Sequence, residues 1–186
     1  MRITGGQVKG RLLASPKGLN IRPTTDKVRE AIFNIIGQDL SGQNILDLFA
    51  GTGSFGLEAL SRGAKRALFI DNFKKSINLI KKNRDLCNFE DSVVILRGDL
   101  KKGIHKFRPF LKDYFDLAFL DPPYRKNLVP LLLKELSGGN ILSTGSRVIA
   151  ESSKTEMLPA SIGLLEMVDT RLYGDTRISI YANKAE

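Results

Sequence analysis

Apolar and polar positions follow two rhythms along this chain, and each change of rhythm predicts where an element begins or ends. Short apolar runs of strand type recur near 44–49, 66–71, 92–97, 116–121 and 146–151. Between them, apolar residues spaced three and four apart predict helices near 54–62, 73–88, 99–109 and 126–137. Pro130 is compatible with the last of these because it falls in the first turn, where its missing N–H has no intrahelical partner. Strand and helix in turn imply an α/β fold with a parallel sheet covered on both faces. The tail changes character: residues 165–173, a Gly174-Asp175 turn and residues 176–182 predict an antiparallel hairpin that ends the sheet.

The first forty residues stand apart. Gly5-Gly6, Gly10 and Pro16-Lys17-Gly18 break residues 1–22 into short β-like pieces, predicting hairpins or an extended arm. A helix to about Ile36 follows, with Thr24 or Thr25 as its cap, Asp26 complementing the dipole and Gly37 ending it. Its expected buried stripe is Val28, Ile32, Ile35 and Ile36. With 186 residues and no linker or repeat, the chain reads as one domain, 1–186. Residues 1–40 would form an extension and helix on a core at 41–186.

Charge changes the picture. The net charge is +9, and residues 1–37 hold seven Lys/Arg against two Asp/Glu, so +5 sits in the first fifth of the chain. Such a field gathers polyanions and points to nucleic acid, with Lys9, Arg11, Arg22, Thr24 and Arg29 as candidate contacts. No apolar run approaches the ~20 residues that span a bilayer, and Met1-Arg2-Ile3-Thr4 does not begin a signal peptide, so a cytoplasmic monomer is expected. The single Cys87 rules out an internal disulfide and a multi-cysteine metal site; no metal is expected. Cys87 shares a helical stripe with Phe73, Ile77 and Ile80 and reads as a core thiol, and His105, among Lys101, Lys102 and Lys106, as a surface residue.

The candidate chemistry starts at NILDLFAGTGSFG, residues 44–56: an apolar strand, a glycine turn and the start of a helix. Gly51, Gly53 and Gly56 fit a dinucleotide-binding turn. Asp47, four residues before the first glycine, changes that reading, because a carboxylate there repels a pyrophosphate and suits a cationic ligand. S-adenosylmethionine, with its ammonium and sulfonium, is such a ligand. Asp71, Asp99 and Asp121 also fall at or near strand ends, where open parallel sheets bind ligands. Asp71 follows Gly53 by eighteen residues, a spacing that reaches ribose hydroxyls, and Asp99 is placed to accept from an adenine amine. One such acid is often a helix cap; four serving only as caps is the weaker reading.

Asp121-Pro122-Pro123-Tyr124 is the most specific signal. Each proline keeps the residue before it extended and contributes no N–H, so Asp121 and the Pro122 carbonyl form two acceptors for an exocyclic amine. Tyr124 offers a flat face for base stacking. DLFAGTG with GLEALSRGA, followed by FLDPPY, resembles the class I S-adenosylmethionine-dependent methyltransferases that act on exocyclic amines. ITGGQVKGR and RPTTDKVREAIFNI are similar to a narrower group, bacterial methyltransferases of guanine N2 in small-subunit (16S) ribosomal RNA, and the resemblance runs from Met1 through the tail RLYGDTRISIYANK. The resemblance implies a Rossmann-like, seven-stranded, mostly parallel sheet with an antiparallel last strand. It puts Asp47, Gly51 and Gly53 at the methionine end of the donor, Asp71 on its ribose and Asp99 near its adenine, with Phe49 also among the donor-binding residues. It makes Asp121, Pro122 and Tyr124 the target-base site, and the substrate 16S rRNA, within a small subunit or assembly intermediate. Rival readings are a DNA adenine-N6 methyltransferase, a nicotinamide dehydrogenase and a non-catalytic nucleic-acid-binding module on the same fold.

Overall fold

The computed structural model describes residues 1–15, 25–111, 114–123, 128–138 and 140–184. Arg22, Thr24 and Tyr124 therefore lie outside the described residues. The chain forms two compact units, Met1–Gly98 and Asp99–Glu186.

In the first unit, three parallel strands, β1 (Asn44–Leu48), β2 (Arg66–Asp71) and β3 (Val93–Arg97), lie in the order β3-β2-β1. Asp47 is in register with Phe69, and Asp71 with Arg97, so the acidic ends of β1 and β2 face the same way. Helices α1 (Asp26–Ile36), α2 (Ser54–Ser61) and α3 (Lys74–Cys87) complete the unit. β1 and β2 are buried along nearly their whole length, as a strand covered on both faces must be. Thr25 caps α1 by accepting from the Val28 N–H at 3.3 Å.

The arm is a hairpin. Ile3 N–H donates to the Arg11 carbonyl at 3.0 Å and Gly10 N–H to the Ile3 carbonyl at 2.8 Å, while Arg2 bridges Leu12. Ile3 and Leu13 are its buried anchors. It docks on the C-terminal end of α2: Gln7 N–H donates to the Ser61 carbonyl at 2.6 Å, and Val8 N–H to Ser61 Oγ at 3.1 Å. Only glycine fits at position 6, where φ is +74° and a Cβ would lie 1.7 Å from the Ser61 carbonyl oxygen. With the sheet on one side and the arm on the other, α2 is buried on every face, Glu58 included.

That burial explains a correction in α1. Its buried residues are Arg29, Ile32, Phe33 and Ile36, whereas Val28 is half-buried and Ile35 exposed. Arg29, expected among the RNA contacts, is 0% exposed and paired through Nε with Glu58 at 3.2 Å. Its Nη2 pairs with Asp26 at 3.1 Å and donates to the Arg2 carbonyl. Arg62 approaches Glu58 from the other side at 2.8 Å, stacks over Phe33 at 4.7 Å and donates to Gln38. Thr4 closes the cluster, its N–H and hydroxyl both donating to Glu58 at 2.8 Å. Arg29 thus fastens arm, α1 and α2 together and does not face solvent.

The second unit holds β4 (Phe115–Leu120), α4 (Leu128–Gly138), β5 (Leu142–Ser153), β6 (Ser161–Ile162), β7 (Leu165–Tyr173) and β8 (Thr176–Asn183). Its strand order is β4-β5-β8-β7-β6, with β4 and β5 parallel and β8 antiparallel to both β5 and β7. All seven expected strands are present, the last one antiparallel, and the two-residue β6 makes eight among the described residues. The helix expected over 99–109 is instead two 3-10 turns, Leu100–Lys102 and His105–Phe110. Gly103, at φ +86°, separates them, and Pro109 removes an N–H from the second. No helix among the described residues is long and apolar enough to cross a membrane.

Candidate active site

The glycine turn follows β1 and is held by two carboxylates. Phe49 turns the chain at φ +58°, a conformation costly for a bulky residue, of order 1–3 kcal/mol, and one that clusters at functional sites. Ala50 N–H then donates to the Ile70 carbonyl at 3.2 Å and Gly53 N–H to the Ala50 carbonyl at 2.7 Å. Gly51 and Gly53 have φ of +56° and +76°. Gly56 has a different reason to be glycine: a Cβ there would lie 2.4 Å from the Phe69 ring, so it lets α2 pack closely on β2.

Asp71 Oδ2 accepts the Gly51 N–H at 2.9 Å, and its Oδ1 accepts the Phe73 N–H at 2.8 Å. Asp47 Oδ2 accepts the Gly56 N–H at 3.0 Å, capping α2 from the neighbouring strand in place of the side chain that Gly53 lacks. Asp47 is 3% exposed, and burial, with the charge of Asp71 adding, pushes its carboxyl up to about 8 despite the Gly56 bond. In the second unit, half-buried Asp99 accepts the Lys101 N–H at 3.1 Å and caps the first 3-10 turn. Three of the four expected aspartates are therefore caps as well. Capping does not use them up: a carboxylate offers about four lone-pair sites, and one or two are taken in each.

These contacts favour one kind of ligand at the turn. Two N–H groups that a pyrophosphate would use at the start of α2, those of Gly51 and Gly56, already serve carboxylates. An anion there would find both N–H groups already taken and the Asp71 carboxylate beside it, whereas a cation would be met by Asp71 and would favour the charged form of Asp47. The donor set fits a ligand with an ammonium and a sulfonium, and it disfavours a nicotinamide dinucleotide.

Two features escaped the sequence reading. Phe73, expected in the buried stripe of α3, is 66% exposed directly beside Asp71, while Ile77, Ile80 and Cys87 are buried as expected. Burial pushes the Cys87 thiol up to about 11, which makes it a poor nucleophile. α3 also presents exposed Lys74, Lys75, Lys81 and Lys82, a basic face that adds to exposed Lys9 and Arg11 of the arm. Asp121, half-buried, and Pro122, buried, directly follow β4 in the second unit.

A class I methyltransferase is what this fold and donor set define. The family described as "Conserved hypothetical protein 95" matches residues 1–182, and the chain belongs to that family. Ribosomal RNA small subunit methyltransferase D of Haemophilus influenzae is 35% identical over 182 residues, covering 93% of each chain. The solved Escherichia coli protein yhhF is 30% identical, with a TM-score of 0.81 over 100% of this chain and 99% of its own. An RNA methyltransferase from Salinibacter ruber, solved with S-adenosyl-L-homocysteine, shares the fold at 18% identity and a TM-score of 0.61, covering 88% of this chain and 95% of its own.

Proposed function

We propose that this methyltransferase transfers a methyl group from S-adenosylmethionine to the exocyclic N2 amine of a guanine in 16S rRNA of the small ribosomal subunit. The observation that carries the reading is the pairing of a carboxylate-held glycine turn with an Asp121-Pro122-Pro123-Tyr124 motif, in a chain related over nearly its whole length to a small-subunit rRNA methyltransferase.

S-adenosylmethionine, when bound, supplies an electrophilic methyl carbon on its sulfonium. Asp47 and the glycine turn would hold its methionine end, and the remaining lone pairs of Asp71 its ribose hydroxyls. Phe73 adds an exposed apolar ring next to that carboxylate, and Asp99 remains an acceptor for an amine. A guanine amine is a poor nucleophile because its lone pair is delocalised into the ring. Asp121 and the Pro122 carbonyl would accept hydrogen bonds from its two N–H groups, which favours a pyramidal nitrogen and fixes the direction of its lone pair; positioning of this kind contributes much of a barrier reduction. Tyr124 stacks on the base, which must be unpaired or flipped to be reached. Asp121 or water takes the proton that the product amine loses.

A DNA adenine-N6 methyltransferase can use the same motif, but the relatedness over 93% of this chain is to a ribosomal RNA methyltransferase, which favours RNA as the substrate. The test is transfer of a labelled methyl group to 16S rRNA, small subunits and DNA offered side by side. Label in rRNA or subunits supports the proposal, and label in DNA alone refutes it.

A further inference from the structure

We infer that Asn83 of α3 is a positioning residue that couples RNA docking on the arm to donor binding at the glycine turn. The inference rests on the functional reading above. Asn83 is 0% exposed, and both its amide oxygen and its amide nitrogen are hydrogen-bonded. Its Oδ1 accepts the Ala14 N–H at 2.7 Å, and its Nδ2 donates to the Ala14 carbonyl at 3.0 Å and to the Thr52 carbonyl at 2.8 Å. The partners fix the amide's orientation: reversed, it would set its NH2 against the Ala14 N–H and its oxygen against two carbonyls.

Ala14 ends the hairpin that carries exposed Lys9 and Arg11, and Thr52 lies between Gly51 and Gly53 of the donor turn. The arm also contacts Thr52 directly, the Thr52 hydroxyl donating to Met1 Sδ at 3.8 Å. One buried amide is thus hydrogen-bonded at once to the backbone of the basic arm and to that of the donor turn. In a buried network of this kind, losing one member leaves the others unsatisfied. RNA that secures the arm secures Ala14, then Asn83, then the Thr52 carbonyl. By linkage the effect is reciprocal, so bound donor must also favour RNA. An amide serving the core alone would change stability and leave the two affinities independent.

The test measures the dissociation constant of S-adenosylhomocysteine by calorimetry, with and without a saturating 16S rRNA transcript. The unaltered chain, Asn83→Ala and Ala14→Pro are compared, with thermal melts reporting the folded fraction. RNA should tighten binding to the unaltered chain at least about fivefold, the lower end of ordinary coupling. The ratio should fall to near one in Asn83→Ala. It should also fall in Ala14→Pro, which removes the N–H given to Oδ1 while fixing φ at that position, and which decides the matter alone if it folds and Asn83→Ala does not. A ratio of one in the unaltered chain, or a ratio unchanged in the folded variants, overturns the inference while leaving the activity intact. Failure to bind S-adenosylhomocysteine or RNA at all overturns the functional reading with it.

Discussion

Replacing Arg29 by alanine should destabilise the fold and leave RNA affinity per folded molecule unchanged, although Arg29 is one of seven basic residues in the first 37. Breaking a buried ion pair by removing one partner costs about 3–5 kcal/mol, because the other charge stays desolvated. Two features move Arg29 to the lower end. Arg62 remains 2.8 Å from Glu58 and still compensates it, and Arg29 Nη1 has no hydrogen-bond partner among the described residues. The expected loss is about 3 kcal/mol, from the Glu58 and Asp26 pairs and the bond to the Arg2 carbonyl. With a urea dependence of about 2 kcal/mol per molar, the unfolding midpoint should fall by about 1.5 M. Urea titration followed by circular dichroism reads this, and salt-dependent binding of a 16S rRNA transcript gives the second measurement. A midpoint within about 0.3 M of the unaltered chain, with the salt slope reduced by about one phosphate contact, would refute the structural role.

Asp47 should make stability fall with rising pH. Its carboxyl sits near 8 in the folded chain against an ordinary 3.8, so its contribution is present below about pH 4 and lost as pH climbs through 8. Urea midpoints of Asp47→Asn, which stays uncharged, should lack that fall; and because a cationic donor favours the carboxylate, calorimetry of donor binding at pH 7 in buffers of different ionisation enthalpy should report uptake of a proton by buffer. Asp71→Ala should weaken S-adenosylhomocysteine binding and also cost about 1–3 kcal/mol in urea, since the Gly51 and Phe73 N–H groups lose their acceptor. Replacing Lys9 and Arg11 together should lower the salt slope of RNA binding by about 1.5, at roughly 0.7–0.9 per phosphate, and leave the urea midpoint in place.

The strands were legible because β1 and β2, covered on both faces, read as continuous apolar runs, and the tail hairpin because Gly174-Asp175 marks its turn. Part of what failed depends on a partner distant in sequence, and part on local breaks in a regular pattern. Arg29 lies on the buried face of α1, which an apolar count cannot show, because its partner Glu58 is 29 residues away. Phe73 fits the periodicity of α3 yet precedes its first turn, where the side chain leaves the helix face. Over 99–109 the helical pattern was present, but Gly103 and Pro109 divide it. At the site, sequence placed the four aspartates at or near strand ends and missed that Asp47, Asp71 and Asp99 accept backbone N–H groups of the segments that follow. The link from Ala14 through Asn83 to Thr52 has no signal in spacing at all.

The central claim is the identity of the modified base, and nucleoside analysis tests it most directly. The chain is incubated with methyl-labelled S-adenosylmethionine and 16S rRNA, free or in partly assembled small subunits, and the RNA is digested to nucleosides for mass spectrometry. The account predicts label in N2-methylguanosine, lost from a substrate carrying inosine at the target position and largely lost with Asp121→Ala, which should still bind S-adenosylhomocysteine. Label in N6-methyladenosine, or in no nucleoside of the RNA, would contradict it.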